Sequence, residues 1–175
     1  MQDNIYQLAH HVRLAVFDVD GIMTDGRLYY SERGEELKVF DVRDGHGLKM
    51  LQESGVQLAL ITSRSSRAVA LRAENLGIQR VHQGVANKLA TLRALLAELR
   101  LEPAAVSFMG DDFVDLPVMR ACGFACTVPE APQEVRDVAH YVTRASGGRG
   151  AVREACELIL RAQGNFDTQL GVHAS

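Results

Sequence analysis

Short apolar runs alternate with longer amphipathic segments along most of this chain. Residues 13–17 (Arg-Leu-Ala-Val-Phe) form a compact apolar run that stops at Asp18, the pattern of a buried strand. Residues 28–30 and 37–40 are apolar stretches flanking the polar turn Ser31-Glu-Arg-Gly34, which predicts a β-hairpin. Asp44 is placed to cap a helix over 44–54, with Gly55 just past its end. Residues 56–61 read as a second buried strand, and Ser65 or Ser66 opens a helix that Gly77 closes. Residues 80–82 predict a short strand. Leu89, Leu92, Leu95, Leu96 and Leu99 then recur at helical spacing over 88–100. A strand over 105–109, a helix over 112–121 bent or shortened by Pro117, a strand over 124–128 and a last helix over 151–162 complete the pattern.

Such alternation predicts an α/β fold: a Rossmann-like, mainly parallel sheet with helices on both faces, joined by right-handed crossovers, with the hairpin inserted in it. The length, 175 residues, suits one domain over 1–175, and a chain of that size folds without disulfides or a structural metal. Hydrophobic residues make up 47% and charged residues 23%, which excludes a disordered or collagen-like chain. Lys and Arg number 19 against 22 Asp and Glu, a net charge of −3. That sign argues against nucleic acid and acidic membrane surfaces as partners. The N-terminus lacks the pattern of a signal peptide, and no apolar run approaches the roughly 18 residues of a membrane span. Cys122, Cys126 and Cys156 lack metal-ligand spacing and read as buried, reduced thiols, which points to the cytoplasm.

In open parallel sheets the ligand sits beyond the carboxyl ends of the strands. The residues at those ends are Asp18-Val-Asp20-Gly21, Thr62-Ser63-Arg64, Lys88 at a helix mouth, and Gly110-Asp111-Asp112-Phe-Val-Asp115. Converging carboxylates repel one another by about 4 kcal/mol per pair at 4 Å and an effective dielectric of 20, so they stay ionised only around a cation. The oxygen donors of Asp18, Asp20 and Asp111 suit Mg2+, with Asp112 and Asp115 holding the site from behind. Asp18, ionised at neutral pH, can attack phosphorus and form an aspartyl-phosphate. Asp20 can protonate the leaving oxygen and then take a proton from the hydrolytic water. Thr62 can donate to a phosphoryl oxygen, and Lys88 can balance the charge that grows in the transition state.

These motifs, in this order, resemble the haloacid dehalogenase superfamily of phosphohydrolases. Residues 18–26 resemble its first motif, Thr62 its second, Lys88 its third and residues 110–115 its fourth. The second acid at plus two marks its phosphatases and phosphomutases. Within it, the chain is similar over nearly its whole length to the subfamily acting on the 8-phosphate of the eight-carbon sugar acid 3-deoxy-D-manno-octulosonate. The likeness lies in residues 34–37, 42–45, 61–64, 83–84, 87–88, 110–112, 141–144 and 147–154. It implies a Mg2+-dependent hydrolase of this phosphorylated sugar acid in lipopolysaccharide synthesis, working as a homotetramer. The spacing adds a constraint of its own. The stretches from Asp18 to Thr62 and from Thr62 to Lys88 are consumed by elements already assigned, so no cap domain fits and something else must exclude water. The hairpin of residues 27–41 is too small to be stable alone. It is the expected oligomerisation element, four hairpins meeting and each covering a neighbouring subunit's site.

The resemblance also implies substrate contacts at Asp20, Asp41, Val42, Arg43, Asp44, Gly45, Lys49, Arg64, Arg72 and Lys88. Arg64 and Arg72 suit a substrate that is both phosphate ester and carboxylate, and their spacing puts both on one helix face. Arg72 reads equally as a solvated helix residue. Lys49 and His46 stand where the subfamily often has Arg and Tyr; a lysine offers a point charge and not a planar fork. His46 also reads as a packing residue. The glycines of residues 147–150 suggest either a hinge bringing Arg149 or Arg153 to the substrate, or a plain loop before a helix. The polar tail, 164–175, is expected to be mobile and to fold over the site as a lid. Two other functions compete. A nine-carbon, sialic-acid-type 9-phosphate could be cleaved on the same scaffold. A phospho-acceptor signalling domain also combines acids, a hydroxyl, a lysine and Mg2+, but in another order along the chain.

Overall fold

A computed structural model describes residues 2–174. Helix α1 (Gln2–His10) leads into strand β1 (Leu14–Phe17). The hairpin strands β2 (Tyr29–Tyr30) and β3 (Glu36–Leu37) follow, then α2 (Val42–Glu53), β4 (Gln57–Ile61), α3 (Arg67–Leu76) and β5 (Arg80–His82). Next come α4 (Lys88–Leu99), β6 (Val106–Met109), a 3-10 turn (Phe113–Asp115) and α5 (Leu116–Met119). The chain closes with β7 (Phe124–Thr127), α6 (Gln133–Val138), β8 (Tyr141–Val142), α7 (Ala151–Ala162) and α8 (Phe166–Ala174).

Six strands make one sheet in the order β5-β4-β1-β6-β7-β8, and every neighbouring pair is parallel. Every residue of β1, β6 and β7 is buried. Successive strand side chains point to opposite faces, so the sheet must be covered on both. One helical group packs α2 on α7 and α7 on α1; another packs α4 on α5 and α5 on α6. Among the described residues no helix is long and apolar enough to cross a membrane.

Register decides what the sheet presents. Phe17 pairs with Leu60 on one side and Met109 on the other, and Ile61 pairs with His82. The strands thus end level, and Asp18, Thr62 and Gly110-Asp111 leave the sheet together.

Several local expectations need correction. The cap of α2 is Asp41, not Asp44: its extended backbone (φ −79°, ψ 133°) lets the side chain accept from Arg43 N at 2.7 Å. Asp44 lies inside the helix and is buried. The hairpin pairs Tyr30 with Glu36 and Tyr29 with Leu37, so its second strand starts earlier and ends sooner than the apolar run of 37–40. The helix expected over 112–121 is a 3-10 turn followed by one turn of α-helix, with Pro117 in its first turn, where a missing N–H costs nothing. Arg64 precedes α3, whose cap position is Ser66, so Arg64 and Arg72 do not share a helix face. Gly147 and Gly148 are packing positions: a Cβ on Gly147 would lie 1.8 Å from Gly21 O, and one on Gly148 2.5 Å from Thr24 C. A free hinge has no room there.

Helices α1 and α6 and strand β8 were not expected. Neither was α8, on the segment expected to be a mobile tail, whose last residue, Ser175, lies outside the described residues. The Arg161 guanidinium sits 3.4 Å from the centre of the Phe166 ring, and Asn165 N donates to Leu160 O, which turns the chain into α8. The junction stays close to the residues before β1: Gln163 Nε2 donates to Val12 O at 2.7 Å. Among the described residues, none that lines the Asp18 cleft comes from α8.

Candidate active site

Three loops and one helix start meet at the level ends of β1, β4 and β6. Asp18 N donates to Met109 O and Thr62 N to His82 O, each at 2.9 Å, so the sheet ladder itself fixes both residues. Asn87 caps α4 by accepting from Ala90 N, which makes Lys88 the first helical residue and turns it inward, 4% exposed. After β6, Asp112 caps the 3-10 turn through Phe113 N at 2.7 Å. Asp115, wholly buried, folds back so that its Oδ2 accepts from Asp111 N at 3.1 Å and Asp112 N at 3.3 Å.

Carboxylate oxygens of Asp18, Asp111 and Asp115 lie within 4.8 Å of one another. Lys88 Nζ answers two of them, 2.9 Å from Asp18 Oδ1 and donating to Asp115 Oδ1 at 2.7 Å. One ammonium does not balance three acids. Burial first, and then the Asp115 charge, push Asp18 up to about 6 against the pull of Lys88. Burial, with repulsion from Asp18, Asp115 and Asp112, pushes Asp111 up to about 7. Lys88 is raised as well: burial alone would lower it, and the two neighbouring carboxylates outweigh that.

The cluster fits a hard divalent cation such as Mg2+. Asp18 Oδ1 is buried and takes no hydrogen bond, even with the lysine beside it as an ion-pair partner. The Asp111 carboxylate is seated over Gly21, where a Cβ would lie 1.9 Å from Oδ2. Both oxygens of Asp115 are already committed to Lys88 and backbone N–H groups. Asp18 and Asp111 therefore offer donors, and Asp115 holds them. The Asp20 carboxylate, also expected as a ligand, is not one of the three clustered acids. It turns to Lys38, and its Oδ2 lies 3.6 Å from Arg64 Nε.

Asp18, Asp20, Thr62, Arg64, Lys88, Asp111 and Asp112 line one cleft of about 230 Å³, with Gly26, Ser63 and Val114. A family model described as haloacid dehalogenase-like hydrolase matches residues 80–154. The chain is 45% identical to 3-deoxy-D-manno-octulosonate 8-phosphate phosphatase KdsC of Yersinia pestis, over 97% of this chain and 91% of that protein. The chain belongs to the haloacid dehalogenase-like hydrolases. Its fold superposes on the Moraxella catarrhalis phosphatase of the same name with a TM-score of 0.97, 45% identity and 99% of each chain covered. That crystal structure is a complex with magnesium, phosphate and the sugar acid. A cobalt-bound Haemophilus influenzae phosphatase is also similar, at TM-score 0.89 and 36% identity, over 93% of this chain and 95% of that one.

In this hydrolase the remaining substrate candidates lie elsewhere. Val42, Arg43, Gly45, Lys49 and Arg72 line a separate cleft of about 540 Å³ with His46 and Arg153. Arg72 Nη2 donates to Asp41 O, and its guanidinium is 5.8 Å from the Phe40 ring centre. Arg153 donates to His46 Nδ1 at 2.9 Å and pairs with Glu157 at 2.6 Å. Asp44 accepts from Gly150 N at 3.3 Å and Arg153 N at 2.8 Å, so it caps α7 from another helix. Sequence reasoning missed Lys38 and Glu36 on the hairpin and the seat that Gly21 makes for Asp111. Gly21 follows the D-x-D motif, which is a signal; a lone lysine in an alternating hairpin is none.

Proposed function

We propose that this hydrolase removes phosphate from 3-deoxy-D-manno-octulosonate 8-phosphate through an aspartyl-phosphate, in the cytoplasm, for lipopolysaccharide synthesis. The observation that carries the reading is the buried Asp18 carboxylate at the end of β1, clustered with Asp111 and Asp115 around one ammonium. The Moraxella likeness over 99% of both chains supports the substrate.

An Asp18 oxygen attacks phosphorus in line with the leaving oxygen. The bond to the sugar oxygen breaks, and Asp20 supplies the proton that oxygen takes up. Water then bonds to phosphorus, the bond to Asp18 breaks, and Asp20 accepts the proton released. Thr62 and Lys88 face the phosphoryl oxygens, and Arg64 meets the sugar acid at the mouth. Asp18 and Asp111, with Asp112 and Asp115 behind them, would hold Mg2+, which would supply charge that offsets repulsion between Asp18 and the phosphate.

Among the described residues, what is inserted between β1 and α2 is a hairpin of two-residue strands. That hairpin leaves large apolar side chains in the open, among them Tyr30 at 59% and Leu37 at 61% exposure. This supports a homotetramer in which four hairpins meet and help cover neighbouring sites, and in which the cleft of Val42, Arg43, Lys49 and Arg72 completes a site across the interface. The test is a panel of sugar phosphates compared by kcat/KM. The eight-carbon acid should exceed a nine-carbon sialic-acid-type 9-phosphate by at least about tenfold, the scale at which a few pocket groups discriminate. Equal efficiencies would reject the substrate.

A further inference from the structure

Lys38 follows β3, and its side chain is only 2% exposed. A buried ammonium costs several kcal/mol unless it is paired. Here the partners are Asp20 Oδ1, in direct contact, and Glu36 Oε1 at 3.5 Å. Arg64 closes the ring from the other side, donating through Nη2 to Glu36 Oε1 at 2.7 Å and to the Tyr30 hydroxyl at 3.3 Å, with Nε 3.6 Å from Asp20 Oδ2. Two cations and two carboxylates thus alternate in a ring, and two of its members, Asp20 and Arg64, line the cleft. Each oxygen of Asp20 is engaged by a different cation, one from the hairpin and one from the loop after β4.

We infer that Lys38 is a positioning residue for Asp20, holding its carboxylate aligned on the water that hydrolyses the phosphorylated Asp18. The inference rests on the phosphatase reading and deepens it. A proton acceptor must lie within about 2.6–3.2 Å of the proton it takes, so freedom of the Asp20 carboxylate is costly in that step. Without Lys38 the carboxylate is drawn by Arg64 alone, toward the outer edge of the cleft. In the step at stake the water oxygen bonds to phosphorus, the electron pair of the breaking bond returns to Asp18, and the water proton passes to Asp20. Because the ring spans the hairpin and the sheet-edge loop, seating of the hairpin and alignment of Asp20 are one event.

The test uses the Mg2+-loaded protein and p-nitrophenyl phosphate, whose leaving group needs no proton. Phosphorylation of Asp18 then proceeds without help from Asp20, and only the second half-reaction depends on it. Lys38→Met should give a burst of nitrophenolate approaching one per subunit, then turnover slowed by at least about tenfold, part of the 10²–10⁴ that a positioned acid–base group contributes. Phosphorylated protein should accumulate in quenched samples, and Lys38→Arg should restore most of the turnover. Burst and steady state slowed in equal proportion without phosphoprotein would mean a structural role only and overturn the inference, as would Lys38→Met turning over like the wild type. Wild-type protein that releases no nitrophenolate would instead overturn the phosphatase reading itself, and the inference with it.

Discussion

The Asp111 carboxylate rests on the bare Cα of Gly21: a Cβ there would lie 1.9 Å from Oδ2 and 2.5 Å from Cγ. Gly21 also has φ +88°, a backbone region that side chains rarely adopt. One residue thus turns the chain after the D-x-D motif and leaves room for a proposed metal ligand. Gly21→Ala should weaken Mg2+ binding about 10–100-fold, the usual effect of displacing a ligand's support. Isothermal titration with Mg2+ measures it, and unchanged affinity would show that Asp111 does not hold the ion.

Lys88 is the ammonium in contact with the acid cluster, 2.9 Å from Asp18 and 2.7 Å from Asp115, with a side chain 3% exposed. Lys88→Met removes it and leaves buried carboxylates facing each other. Breaking a buried ion pair in this way costs about 3–5 kcal/mol. Urea unfolding of the metal-free protein should show that loss, and added Mg2+ should recover part of it by supplying the missing charge.

Asp18 is raised to about 6 and Asp111 to about 7, chiefly by burial. In the metal-free protein both keep protons that an unfolded chain gives up near its ordinary pKa of about 3.9. Between about pH 4 and pH 7 the folded state therefore binds more protons, and stability falls as pH rises through that window. Mg2+ competes with those protons. Its effect on Tm should be small near pH 5 and large near pH 8, as read by thermal scans with and without the ion. A Tm increase independent of pH would mean that Mg2+ binds elsewhere.

Asp41 and Asp44 stand one helical turn apart and do different work. Asp41 caps its own helix through Arg43 N, while Asp44, buried and raised by desolvation, accepts from two N–H groups at the start of α7. Asp41→Ala should cost about 1 kcal/mol, an ordinary cap. Asp44→Ala should cost about 2–3 kcal/mol, as expected for charge-assisted bonds lost in a buried setting. Equal losses in chemical denaturation would remove the cross-helix role.

These contrasts show where sequence runs out. The strand pattern and the chemistry at the strand ends were legible because buried parallel strands are apolar runs and their ends carry conspicuous polar residues. Asp44 misled because an aspartate three residues into a helix looks like a cap until the partner helix, more than a hundred residues later, is seen. Helix α8 was hidden because its anchors are an Arg161–Phe166 stack and the turn at Gly164, not an apolar stripe. Lys38 was hidden for another reason: the apolar run of 37–40 placed it inside the second hairpin strand, whereas that strand ends at Leu37 and Lys38 turns to Asp20 in the loop after β1.

The central claim is that Asp18 takes the phosphoryl group covalently. Rapid quenching during turnover of the Mg2+-loaded protein, followed by borohydride reduction and peptide mass spectrometry, reads it directly. A phosphoryl group on the peptide carrying Asp18, converted by borohydride to homoserine at position 18 and absent in Asp18→Asn, is the predicted result. Phosphate released at the full rate by Asp18→Asn, or turnover with position 18 never modified, would contradict it.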